Sequence, residues 1–427
     1  MKKEVISILI LLSLVLPLTG CTGTVSAGLV ESDKERIESP DVSSTDKDTL
    51  VEGNTSFAFD LFQTLRNENG NVFYSPHSIS LALAMTYAGA RGETAQQMAD
   101  TLHYDLSQDK LHPAFNYLDI ELDKRGEGAQ GKDDEGFRLN IVNAIWGQRD
   151  FTFLPEFLDT LAENYGAGLR VLDFINETEK SRITINDWVS DETEGRIEDL
   201  IPQGQLNAAT RLVLTNAIYF NAAWQHQFEE RLTSDAPFYL LNGQEVTVPM
   251  MRQTESFGHT SGDGYQAIEL RYDGGELSMV ILLADTGQYD SFEEQLTARK
   301  ANEIINDMGY TQVELAMPKF EFESEFQMKD TLSTMGMPIA FSSGADFSGM
   351  TGGKDLYIDQ VIHKAFVSVD ESGTEAAAAT AVDMKLTSAP AEPVKVTVDR
   401  PFIFFIRDIE TGTILFIGRV LNPVDKN

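Results

Sequence analysis

Apolar and polar positions along the chain follow two periods, and each period marks its own elements. Helical spacing at Phe57, Phe59, Leu61, Phe62 and Leu65 predicts a helix over Ser56–Leu65, ended by Asn67–Gly70. Ser75-Pro76 pairs a cap with proline at the first helical position and predicts a second helix to about Gly89. Further helices are expected over Arg91–Met98, Leu111–Leu122, Pro155–Tyr165 and Phe292–Met308. Thr178–Thr193 reads as an amphipathic helix with Ile183, Ile185 and Trp188 inward, ended at Gly195. Alternation predicts strands at Phe137–Trp146, Arg170–Phe174 and Val313–Phe320, and a series of strands between 236 and 285. The near-continuous apolar run Arg211–Phe220 predicts a strand buried on both faces.

One stretch, Glu371–Ser388, resists a single assignment. Its two-residue period separates Thr374, Ala376, Ala378, Thr380, Val382, Met384 and Leu386 from Glu375, Ala377, Ala379, Ala381, Asp383, Lys385 and Thr387. The first set is small and then apolar; the second carries the charge. That is the pattern of a strand with one buried and one wet face. Its alanines, however, are good helix formers, and Ser372 or Thr374 could cap a helical turn over Glu375–Ala381. Gly373 stands where a chain would need a pivot. The segment is suited to two states, an exposed loop and an inserted strand.

Composition narrows the class. With 427 residues and 42% apolar content the chain can bury a substantial core. Its 33 basic and 67 acidic residues give a net charge of −34, which argues against nucleic acid and anionic membrane surfaces as partners. A single cysteine, Cys21, excludes an internal disulfide or a cysteine-rich metal site. Lys2 and Lys3 followed by the apolar run Val5–Leu18 form a targeting segment too short to span a membrane comfortably. Leu18-Thr19-Gly20-Cys21 resembles the lipobox of secreted lipoproteins. That resemblance implies a signal peptide over 1–20, lipidation of Cys21, and a protein exported to the outer face of the cell membrane. A plain cleaved signal peptide with secretion, or an uncleaved anchor, are the alternatives. Residues 21–48 are polar and read as a flexible tether ahead of a single domain over 49–425.

Catalytic patterns are weak. The six histidines (His77, His103, His112, His226, His259 and His363) include no metal-binding pair of the H-E-x-x-H kind, and no G-x-S-x-G is present. Gly126, Gly128 and Gly131 form a G-x-G-x-x-G, but a helical stretch precedes it and charge follows it. A nucleotide loop needs a strand before and a helix after. No enzyme activity, cofactor or metal is expected. Asn54-Thr-Ser56 and Asn176-Glu-Thr178 fit the glycosylation sequon, a triplet common by chance.

The segments flanking the ambiguous stretch are specific. Leu356-Tyr-Ile-Asp-Gln-Val-Ile-His363-Lys-Ala-Phe-Val-Ser-Val-Asp370 precedes it and Val398-Asp-Arg-Pro-Phe402-Ile-Phe-Phe-Ile-Arg-Asp408 follows. With Ser75-Pro76-His77-Ser78, Asn216, Trp224, Phe228 and Pro318-Lys-Phe320, they resemble the serpin family from Leu50 to Pro423. Asn221-Ala222 departs from the family's usual Lys-Gly. The resemblance implies an α+β fold of about nine helices around three sheets, with a large central mixed sheet and an exposed reactive-centre loop at about 371–392. It implies that Ser75, Ser78, Asn216 and His363 latch the sheet where it opens, with Trp224 nearby, although a satisfied core histidine is an adequate reading of His363. It implies a hinge at Glu371, Gly373, Thr374, Glu375, Ala376, Ala377, Ala378, Ala379 and Thr380. A serine protease, or a cysteine protease, would attack the loop, form its acyl-enzyme, and be trapped as the cut loop inserts as a strand. The family's spacing places the bait bond at Thr387–Ser388, with Lys385 and Leu386 as fallbacks, and a small bait residue suits an elastase- or subtilisin-like target. A monomer is expected. The alternative is a non-inhibitory member acting as carrier, chaperone or structural protein, which bulky or charged residues in the slot-facing set would favour.

Overall fold

The computed structural model describes residues 27–130, 137–374 and 392–426. In chain order its strands are β1 (Gly28–Val30), β2 (Val72–Tyr74), β3 (Arg138–Gln148), β4 (Leu169–Leu172), β5 (Leu212–Ala223), β6 (Ser234–Tyr239), β7 (Glu245–Gly262), β8 (Tyr265–Arg271), β9 (Leu277–Ala284), β10 (Gly309–Pro318), β11 (Phe320–Gln327), β12 (Gln360–Val369), β13 (Gly373–Thr374), β14 (Val394–Thr397), β15 (Phe402–Asp408) and β16 (Ile414–Val420). The helices are α1 (Ser44–Leu65), α2 (Pro76–Tyr87), α3 (Gly92–Leu102), α4 (Gln108–Asp123), α5 (Pro155–Tyr165), α6 (Thr178–Glu192), α7 (Tyr289–Gln295), α8 (Ala298–Asn306), α9 (Met328–Met335) and α10 (Ser348–Thr351).

The fold is α+β. The central sheet is mixed and seven-stranded, in the order β1-β4-β3-β5-β13-β12-β11. β3–β4 and β5–β12 run parallel, and its other pairs are antiparallel. Ten helices surround the sheets among the described residues, close to the expected nine. The remaining nine strands form one hydrogen-bonded sheet where two smaller ones are expected. The 18-residue β7 joins them, pairing β6 and β10 along most of its length and β8 at its end.

β5 shows why the central sheet can be packed on both faces. All of its residues are buried, in the sequence LVLTNAIYFNAA. Leu212, Leu214, Ile218 and Phe220 join the main core, while Val213 and Ala217 join a second cluster with Ile185 and Val189 of α6. On α6, Ile185 is buried and Trp188 half-buried, but Ile183 is 38% exposed. Its expected inward place is wrong for a geometric reason: residues two apart on a helix point to nearly opposite sides. The helix before the Gly126 loop is α4, so that glycine loop has no strand ahead of it.

The polar residues ahead of the domain are the larger departure. Residues 27–48 fall within the expected tether, yet the chain is docked from Ala27 onward. β1 pairs with β4 and adds a strand to the sheet edge. Ile37 donates its N–H to the Glu163 carbonyl at the end of α5. The Arg36 guanidinium donates through Nε to Asn116 Oδ1 at 2.8 Å and pairs with Asp119, both on α4. α1 then starts at Ser44, capped by Ser43 accepting from the Asp46 N–H. A composition rich in Ser, Asp and Glu describes a solvated chain, and here the hydrogen-bonding partners lie on other elements that composition cannot reveal.

Replacement of this arm's anchor should be measurable. Arg36→Ala leaves the fully buried Asn116 without the donor to its carbonyl oxygen, and should destabilise the full chain by about 1–3 kcal/mol in denaturant unfolding.

Candidate functional site: the split in the central sheet

β5 and β12 pair side by side for six residues, from Val213–Gln360 to Ile218–Ala365. Beyond that the two strands part. β12 ends at Val369, the chain turns through Asp370–Ser372, and β13 returns between them. Thr374 pairs with Val369 on one side and Ala222 on the other, and Gly373 pairs with Ala223. Between the last β5–β12 pair and this two-residue wedge, Tyr219–Asn221 face Phe366–Ser368 with no ladder pair joining them among the described residues. Among the described residues the hinge thus enters the buried sheet between β5 and β12 as a two-residue strand.

The turn is held tightly. The Ser372 N–H donates to Asp370 Oδ1 at 3.0 Å, and the Asp370 N–H to the Gly373 carbonyl at 3.0 Å. Trp224 donates its N–H to the Ser372 carbonyl (2.8 Å) and its indole N–H to the Asp370 carbonyl (3.0 Å). Glu371 accepts from Lys319 Nζ at 2.6 Å and from the Thr233 hydroxyl at 2.7 Å. Burial pushes the Glu371 carboxyl up; those two donors outweigh it and hold the group below its usual range. Gly373 adopts φ +153°, and a Cβ there would lie 2.2 Å from the Ala222 carbonyl oxygen. Only glycine fits this position.

Lower in the sheet, Ser75, Ser78, Asn216 and His363 come together as one buried cluster. Asn216 and His363 are register partners on β5 and β12. The Ser75 N–H donates to His363 Nε2 at 3.2 Å, so Nδ1 carries the ring proton and donates to Asn216 Oδ1. Asn216 Nδ2 donates to Ser78 Oγ at 2.5 Å and to Asn143 Oδ1 on β3. The cluster thus ties β3, β5 and β12 to the start of α2, whose Ser75 cap accepts from the Ser78 N–H. Burial pulls the His363 imidazole down to about 3, so the ring is neutral at physiological pH. A neutral ring with both nitrogens occupied has the bonding of a mechanical latch. Among the described residues no group of three or more His, Cys, Asp or Glu could hold a metal.

Asn143 was not singled out from sequence, although a polar residue in line with Leu139 and Ile141 is the signal that could have found it. Lys319 stands in the Pro318-Lys-Phe320 motif but its pairing with Glu371 was not foreseen, and Thr233 and Tyr272 gave no sequence signal, because their meaning lies in what they touch across long separations. Glu371, Gly373 and Thr374 line the split. Glu375, Ala376, Ala377, Ala378, Ala379, Thr380, Lys385, Leu386, Thr387, Ser388 and Cys21 lie outside the described residues.

The central sheet thus seats the hinge between two of its own strands, β5 and β12. The chain belongs to the serpin family: the family model described as "Serpin (serine protease inhibitor)" matches residues 52–423. It is 43% identical over 379 residues to an uncharacterized serpin-like protein of Thermococcus kodakarensis, covering 88% of this chain and 86% of that one. It is 40% identical over 386 residues to the human leukocyte elastase inhibitor, covering 88% and 99%. The crystal structure of tengpin, a thermophilic serpin in the native state, superposes with a TM-score of 0.80 at 29% identity, covering 93% of this chain and all of that one.

Two measurements test this site. His77 and His112 are held down to about 4, mainly by burial, and His363 to about 3. Below about 6.5 the unfolded chain takes up protons that these folded sites refuse. The stability they contribute is complete above about 6.5 and is lost as pH falls towards about 4. The thermal midpoint should fall across that window, and less steeply in His363→Gln. Separately, Gly373→Ala should expel the hinge, seen as several-fold faster proteolysis at 370–374.

Proposed function

We propose that this protein is a suicide-substrate inhibitor of serine proteases. The observation that carries the reading is the seating of Gly373–Thr374 between β5 and β12, ahead of a sequence whose slot-facing set continues Ala376, Ala378, Thr380. The first rung of an inserted strand is in place, and the following side chains are small enough to extend it. Cleavage at Thr387–Ser388 would free the loop's N-terminal part to extend β13 into a full strand between β5 and β12. The attached protease, linked as its acyl-enzyme, would be carried with the loop and its deacylation stalled. A threonine bait favours an elastase- or subtilisin-like enzyme, and relatives named leukocyte elastase inhibitor support that class.

In this reading the domain is exported, held at the outer face of the membrane through lipidated Cys21, and works as a monomer that is consumed once. No helix among the described residues is long and apolar enough to cross a membrane.

The test is denaturing electrophoresis of the full chain mixed with pancreatic elastase and, separately, subtilisin. The expected result is a band near the summed masses together with a released peptide beginning at Ser388. Thr374→Arg, with a cation at the buried first rung, should abolish the band and turn the protein into a substrate. Clean cleavage of both forms by a wider protease panel would favour a carrier, chaperone or structural role instead.

A further inference from the structure

Thr374 does more than pair with Val369 and Ala222. It is 2% exposed, and its hydroxyl lies 3.0 Å from the Tyr272 hydroxyl. Tyr272, just after β8, is completely buried. Its ring is stacked on Trp224 at 4.6 Å with an interplanar angle of 12°, and meets Phe220 edge-on at 5.0 Å. Its backbone is fixed too: its N–H donates to the Leu277 carbonyl, and it forms a bridge with Trp224. The phenol oxygen therefore points to one fixed place. The same Trp224 that stacks on Tyr272 grips the carbonyls of Asp370 and Ser372. One aromatic holds the turn and its neighbour holds the residue that leaves it.

We propose that Tyr272 is a positioning residue for loop insertion: its buried hydroxyl seats Thr374 as the first rung and so sets the register from which the rest of the loop enters. A buried hydroxyl without a partner is costly, and Thr374 is the group that partners this one. Withdrawal of the hinge would strand the Tyr272 hydroxyl, which biases the hinge towards its seat before any cut is made. Strand register is otherwise weakly specified in a run of alanines, where a slip of one residue would turn the charged set, Glu375 and Asp383 among it, into the core. A single hydroxyl pair at the first rung removes that freedom. It also gives a reason for threonine at 374, where the next slot-facing positions are alanine.

The proposal rests on the inhibitory reading for its consequence in trapping, but the anchoring itself can be measured without a protease. Hydrogen exchange in the full chain is followed at Val369–Thr374 and, as an internal control, in β8 and β9. Tyr272→Phe should speed exchange at the hinge about tenfold with the control strands unchanged. Thr374→Val should do the same, the double variant should add nothing further, and Thr374→Ser should retain protection. Hinge exchange unaltered in Tyr272→Phe, or altered equally in β8 and β9, would overturn the anchoring. In the protease mixture, Tyr272→Phe should shift products several-fold from the covalent band towards cleaved free inhibitor. Loosened exchange with an unchanged product ratio would overturn the role in trapping. Wild type that forms no covalent band with any protease defeats the inhibitory reading and with it the trapping role, while the exchange data still decide the anchor.

Discussion

The fold depends on how β5 and β12 meet in the middle of the central sheet, directly at first and then around the hinge. β5 and β12 are buried strands in the middle of a seven-stranded sheet, the place where backbone hydrogen bonds are hardest to forgo. They pair over six residues and then separate around two residues of hinge. Other parts of the molecule serve that arrangement. α2 supplies Ser75 and Ser78 beneath the pairing, α6 closes one face with Ile185 and Val189, and the chain after β12 supplies the wedge.

Two kinds of contact govern the opening, and they differ in character. At the head, where the hinge enters the sheet, the contacts are a turn, an ion pair and two aromatic rings, partly reachable by water through Lys319. At the latch they are neutral and, apart from the half-buried Asn143, fully buried, running from Asn143 through Asn216 to His363 and Ser75. A buried network of this kind has discrete arrangements because each partial break leaves a donor or acceptor unpaired. The head can therefore exchange one strand partner for another, while the latch must either hold or rearrange as a unit.

Much of this was legible in the sequence, and the exceptions share a cause. The expected α5 coincides with the observed one, and Ser75-Pro76 starts α2, because cap, proline and apolar spacing act within a few residues. The family motifs pointed to Ser75, Ser78, Asn216, Trp224 and His363, which the structure brings to the split. The docking of residues 27–43 was not legible, since Arg36 is meaningful only beside Asn116 and Asp119. Tyr272 and the partner of Lys319 were missed for the same reason: Tyr272 meets Thr374 across 102 positions, and Lys319 meets Glu371 across 52. α1 begins before its first apolar stripe because a cap and a polar first turn suffice once the later turns are buried. Ile183 was misread by counting apolar residues without following their angle around the helix.

The edges of the central sheet carry a consequence for crowded solutions of this protein. One outer strand is β1, only three residues long, which leaves little ladder for a foreign chain to copy. The other, β11, displays Glu321, Glu323 and Glu325 on its exposed positions, the first two paired with Lys426 and Lys364, a charged flank that a second copy would have to desolvate. Both flanks are thus poor templates for self-association.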